Sequence, residues 1–105
     1  MATNGTTLLL QCQEVESHSI SGVSKSPYNA GACIGLLEGV ALTAEALAES
    51  LPTEVRICFP KERLSGLQST LIILKFLRQN PGELHKPAAT LAYFAFSEAF
   101  PCRTK

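Results

Sequence analysis

Cys12, Cys33, Cys58 and Cys102 are the side chains of this sequence best suited to chemistry. A structural zinc site usually offers a knuckle of two cysteines spaced two to four residues apart. No two cysteines here lie that close, and His18 and His85 stand alone. A Cys–His nucleophile needs a base, an orienting group and an oxyanion site, and no spacing marks such a set. Buried free thiols stay open as a reading, because cysteine packs well in cores. An even count in a small domain fits a disulfide framework best. Four cysteines allow three connectivities. Helix order favours Cys12–Cys33, tying the first helix to the second, and Cys58–Cys102, tying the segment before the third helix to the end of the fourth. The acids are all glutamates, which excludes sites built on aspartate, such as an EF-hand or a Walker-B magnesium site. With no carboxylate pair, metal cluster or nucleophile–base set, the chain is expected to be neither an enzyme nor a cofactor carrier.

The 105 residues make one domain spanning 1–105, of a size at which a core forms but gains from staples. Apolar residues are 46% and charged residues 17%, too apolar for disorder. The longest apolar stretches, near Leu71–Leu74 and Leu91–Phe96, fall far short of the ~20 residues of a membrane span. Net charge is zero with no basic run, which argues against nucleic acid. Met1 leads into Ala2-Thr3-Asn4-Gly5 with no basic region and only Leu8–Leu10 as an apolar run, so no signal peptide is visible. That alone reads as cytoplasmic, whereas a disulfide framework argues for export. A mature form whose leader is replaced by Met1 reconciles the two.

The elements that position these residues are helical. A first helix is predicted over about Thr6–Glu16, with Leu8, Cys12 and Val15 on one face and Asn4 or Thr6 as cap. Ser17–Ser26 reads as a loop. A second helix opens on Ser26-Pro27 and runs to about Ser50, before Pro52. Val55–Pro60 reads as an extended connector. The third helix opens on the capping box Ser65-Gly66-Leu67-Gln68 and reaches about Gln79. Leu67, Thr70, Leu71, Leu74 and Leu77 form its expected core stripe, with Ile73 and Phe76 beside it. The fourth runs from near Pro87 to Phe100, with Ala88, Leu91, Ala92, Ala95 and Ala99 forming a narrow small-residue face flanked by Phe96 and Phe100. The fold class is therefore all-α, a compact bundle of about four helices stapled by two disulfides.

Some residues break these patterns. Gly31, Gly35 and Gly39 recur every four residues on the second helix. They mark either a dimer seam or a groove where another helix of the same domain packs closely, and the second reading is favoured. Leu42, Ile72 and Phe94 fall on polar faces. They form a dimer or partner face, unless those helices are buried more widely than drawn. Gln79, Asn80, Pro81, Gly82, Glu83, Leu84, His85 and Lys86 form a rigid Pro-Gly tip between two helices, a common kind of recognition element. Within it His85 is a partner contact or pH switch, or more plainly a histidine packed in a tight turn.

Four segments together resemble a known family. Gly31-Ala32-Cys33-Ile34-Gly35-Leu36-Leu37-Glu38-Gly39-Val40 is similar to a G-x-C-x-G-[YF]-x-x-G-[VI] segment. Ile57-Cys58-Phe59-Pro60 is similar to a C-[IV]-P connector. Residues 75–88, Lys75-Phe76-Leu77 through Asn80-Pro81 to His85-Lys86-Pro87-Ala88, resemble K-[YF]-L-x-x-[HN]-P-x-x-[LR]-H-x-P-A. Glu98-Ala99-Phe100-Pro101-Cys102 resembles a terminal E-A-F-P-C. The order resembles the Rap/Tai family of type VI secretion immunity proteins over about residues 8–102. The resemblance implies a mature periplasmic helical protein, often a homodimer, that binds and inhibits a cognate effector, typically a peptidoglycan amidase. In some members a loop enters the effector's active-site cleft, which makes residues 79–86 the partner-binding candidate here. The chain departs from the pattern at Leu36, where an aromatic is usual, and at Phe94, where a charged residue is usual. The matching residues report scaffold more than target. The alternative is a periplasmic helical binding or chaperone-like protein on the same scaffold with no toxin partner.

Overall fold

The computed structural model describes residues 2–23 and 25–102. Met1, read above as standing in for a leader, and Ser24 of the serine-rich loop lie outside them. Four helices make the fold: α1 (Gly5–Ser21), α2 (Pro27–Ala46), α3 (Gly66–Gln79) and α4 (Ala88–Ala99).

Local chemistry sets most boundaries. The Asn4 side chain accepts the Thr7 N–H at 3.0 Å and caps α1. This helix runs five residues beyond the predicted Glu16, through the first half of the expected loop. Its stop is Gly22, whose φ of 77° is the left-handed conformation that glycine adopts without strain, and whose N–H bonds the His18 carbonyl at 2.8 Å. Ser26 caps α2 by accepting the Asn29 N–H at 3.3 Å, and Pro27 fills the first turn. The Ser26 N–H itself bonds a Glu14 carboxylate oxygen at 3.0 Å, so α1 holds the start of α2. Helix α2 ends at Ala46 rather than Ser50 and gives way to tight 3₁₀ turns at Ala48–Ser50 and Thr53–Val55. Between them Leu51 is extended, the conformation favoured before Pro52, and its carbonyl accepts from the Arg56 guanidinium at 2.7 Å. The connector then makes single backbone pairings, Ile57 with Pro101 and Cys58 N–H to the Phe100 carbonyl at 2.9 Å, without becoming a strand. Ser65 caps α3 by accepting the Gln68 N–H at 3.0 Å, as the capping box requires.

The core centres on Phe96, Leu8, Leu37, Ile73, Leu74, Leu77 and Leu91. Phe59 of the connector sets its ring edge-on to Phe96, 5.3 Å between centroids. One expected stripe is rotated. Thr70, Ile73, Leu74 and Leu77 of α3 are buried, while Leu67 and Leu71 are 39% and 45% exposed. The side of α3 that faces the first two helices is the one that buries Ile73, Leu74 and Leu77, and Thr70 lies on it with its hydroxyl 3.8 Å from the Cys33 sulfur.

All four cysteines are paired, Cys12–Cys33 and Cys58–Cys102, as helix order favoured. Their environments differ. Cys12 and Cys33 are fully buried, whereas Cys58 lies on the surface and Cys102 is half-buried. Limited reduction under native conditions should therefore open Cys58–Cys102 first, and mass mapping of alkylated thiols should find label on those two alone. The sequence separations of 21 and 44 residues correspond to roughly 3 and 4 kcal/mol in the chain-entropy model. Paired Cys→Ala variants should lose about those amounts in denaturant unfolding.

Candidate protein-binding site

Residues 79–86 leave α3 and return to α4 as a braced tip. The Asn80 side-chain amide donates to the Phe76 carbonyl at 2.8 Å and closes the end of α3. Pro81–Glu83 form a single 3₁₀ turn. The Lys86 ammonium pairs with the Glu83 carboxylate, and the Lys86 N–H bonds the Glu83 carbonyl at 3.0 Å. The base of the tip is tied to the start of the chain. The Gly5 and Thr6 N–H groups donate to the Lys86 and Leu84 carbonyls at 3.1 and 3.2 Å, and the Ala88 N–H donates to the Thr3 carbonyl at 3.2 Å. These bonds satisfy donors that the first turns of α1 and α4 would otherwise leave open. Gly5 is required for this approach, because a β-carbon there would lie 2.5 Å from the Leu91 side chain and 2.9 Å from the Leu84 carbonyl oxygen. Pro81, Gly82 and His85 face solvent, Leu84 packs against the core, and nothing stands within 4 Å of where a Gly82 side chain would begin.

Two ion pairs brace this end. Arg78 grips Glu16 of α1 with both guanidinium arms, at 2.8 and 3.1 Å. Hydrogen bonding from Arg78, aided by its charge, holds the Glu16 carboxyl below the ordinary glutamate value. Hydrogen bonding from Lys86 does the same to Glu83, with the charges of Lys86 and then His85 adding to it.

A second feature is an apolar groove of ≈ 1150 Å³ running along α2. Its floor is Gly31, Gly35 and Gly39. Its walls are Tyr28, Leu36 and Val40 of α2, Leu47, Leu51 and Val55 of the following turns, and Ala89 and Tyr93 of α4. The Tyr93 hydroxyl donates to the Val55 carbonyl and closes one side. This corrects the favoured reading of the glycines. No helix of the domain packs on them: all three are exposed, and a β-carbon at any of them would meet nothing within 4 Å. Leu36, where the resembling pattern has an aromatic, lines the same groove.

The off-pattern apolar residues are dispersed. Leu42 is 46% exposed in a small hollow with Glu38, Glu45 and Arg63. Phe94 is 49% exposed in another, beside Phe76, Arg56 and Glu98. Those two hollows share no lining residue, and Ile72 is half-buried against the core. Sequence reasoning missed the walls of the α2 groove, because Leu47, Leu51, Val55 and Tyr93 come from three separate segments.

The disulfide-stapled helical scaffold thus presents two candidate binding surfaces, the braced tip and the open apolar groove. The family model for Rap1a immunity proteins matches residues 4–102. The chain belongs to that family, and it is an immunity protein for a secreted effector. No curated protein and no solved structure matches it.

The close approach at Gly5 sets a stability test. Gly5→Ala should cost about 1–3 kcal/mol through overpacking, read in thermal or denaturant melts, and should speed amide exchange at Leu84 and Lys86. The ion pairs set the acid response. Both glutamates are depressed in the folded state, so their stabilisation is present above the ordinary value of 4.5 and is lost as pH falls below it. The melting temperature should drop over that acid range, and Glu16→Gln should flatten the drop.

Proposed function

We propose that this immunity protein inhibits a peptidoglycan amidase in the periplasm by seating residues 79–86 in the enzyme's active-site cleft, and that it acts as a homodimer. The observation that carries the reading is the bracing of the tip. A loop that must order on binding spends part of its interaction energy on that ordering. Here the 3₁₀ turn, the Asn80 cap and the three backbone bonds to the start of the chain fix the shape beforehand. The tip is also narrow, with Pro81 and Gly82 leading, a form suited to a cleft. Glu83 and His85 supply polar groups at its rim. The paired cysteines suit an oxidising compartment, and no described helix is long and apolar enough to cross a membrane. Leu42 and Phe94 have the exposure that secondary contacts need.

The test is capture from the native host with the oxidised chain as bait, and the captured effector should be a peptidoglycan amidase. The purified oxidised chain should form a stable complex with it and abolish hydrolysis. Gly82→Arg, which widens the tip, and the double variant Glu83→Ala/His85→Ala should each weaken inhibition about tenfold or more. Gly82→Arg should leave the melting temperature unchanged, and the double variant should lower it by no more than the loss of the exposed Glu83–Lys86 pair. Full inhibition by both variants would sink the cleft model, and capture of an effector that is not an amidase would sink the choice of target.

A further inference from the structure

We propose that the Cys58–Cys102 disulfide is a thiol–disulfide exchange site, at which a thiol reductant caps the Cys58 sulfur and expels Cys102 while the helical frame and the tip keep their shape. Exposed disulfides are the labile and regulatory ones, whereas exchange at a buried one needs access that the fold denies. The two pairs of this chain divide on that line. Cys12 and Cys33 are fully buried, in the joint where α1, α2 and Thr70 meet. Cys58 is exposed and Cys102 half-buried.

The surroundings choose the sulfur that is attacked. A thiolate forms a bond to one sulfur and expels the other, so access decides between the two ends. Cys102 lines a hollow that also holds Glu54, Glu98 and Arg56. Two carboxylates against one guanidinium leave that hollow net negative, and an anionic thiolate is repelled from it. Cys58 does not line the hollow and meets solvent elsewhere. The step balances. The reductant's sulfur bonds to the Cys58 sulfur, the Cys58–Cys102 bond breaks, and Cys102 leaves with the electron pair as a thiolate that takes a proton from water. A monothiol stops at this mixed disulfide. A dithiol goes on, its second thiolate expelling Cys58, so that two electrons pass to the chain and the reductant leaves oxidised.

The mount of Cys58 does not depend on the bond that opens. Ile57 before it is buried and pairs with Pro101, and Phe59 after it sets its ring against Phe96. The Cys58 N–H bonds the Phe100 carbonyl at 2.9 Å. These contacts keep Cys58 on the surface whether its sulfur is paired, capped or free. The tip is held by other residues. Its backbone and cap bonds run to Thr3, Gly5, Thr6 and Phe76, and among the described residues none of them involves the connector or the end of α4.

The experiment treats the oxidised full chain with reduced glutathione under native conditions, quenches it early with acid and maps the adducts by peptide mass spectrometry. Glutathione should stand on Cys58 at least about tenfold over Cys102, with Cys12 and Cys33 unmodified. No adduct, an adduct shared evenly or favouring Cys102, or one on Cys12 or Cys33 overturns the exchange site. The second arm is the Cys102→Ser chain carrying glutathione on Cys58. Its amide NMR signals should differ from those of the oxidised protein around Cys58 and residue 102 and coincide with them at Cys12, Cys33 and residues 82–86. Displaced signals at the tip, or a capped chain that does not fold, overturn the claim that exchange leaves the frame and tip intact.

Discussion

The arrangement of the first three helices depends on one buried joint, the Cys12–Cys33 disulfide against Thr70. The bond locks α1 to α2 at a Cα separation of 5.1 Å. The Thr70 hydroxyl, 3.8 Å from the Cys33 sulfur, also donates to the Gly66 carbonyl at 2.7 Å. Thr70 shares the buried side of α3 with Ile73, Leu74 and Leu77, so the joint and the core occupy the same face. A polar hydroxyl in a core is tolerated only when bonded, and here it is bonded within its own helix. The interior of the domain is thus fixed by a covalent link and one satisfied polar group, around which Phe96 and the aliphatic side chains pack.

The second disulfide has a different task. Cys58–Cys102 holds the connector and the end of α4 together at the surface, and the Cys58 N–H adds a backbone bond to Phe100. Phe59 then reaches inward to Phe96 and Phe100, with ring centroids at 5.3 and 5.7 Å. A segment with no regular structure is thereby made part of the core. In a domain this small, where apolar burial alone leaves little margin, such a staple replaces the secondary structure the connector lacks. One disulfide orders the interior and the other closes the perimeter.

The candidate binding surfaces are held by this frame. The tip at residues 79–86 is held from three directions: by the end of α3, by the start of α4 and by the first residues of α1. Gly5 allows the last of these, since a larger residue would strike Leu91 and the Leu84 carbonyl. Helix α2 serves the frame on one side through Cys33, Leu37 and Ala44, and on the other presents its glycine floor. The buried disulfide therefore fixes the orientation of the exposed groove as well as the core, because both belong to one rigid helix.

Much of this was legible in local chemistry. Asn4, Ser26 and Ser65 marked helix starts because a side-chain oxygen at that position accepts an open backbone N–H. Helix order pointed to the observed cysteine pairing because each pair ties elements that the chain brings together. The Pro-Gly tip was visible because a proline beyond the first turn cannot continue the helix before it, and the glycine that follows favours a turn. The end of α1 was missed because Gly22 stops the helix at a point that the serines before it disguise. The α3 stripe was drawn too wide because several leucines share its flank, and only packing against the other helices chooses among them. The glycines of α2 show the limit most clearly. Their spacing defines a face, but close packing within a chain and an open seam require the same spacing. Sequence by itself determined that α2 has a smooth apolar side. Only the tertiary structure decided that none of the described residues covers it, because what lies opposite a helix face depends on residues far away in the chain.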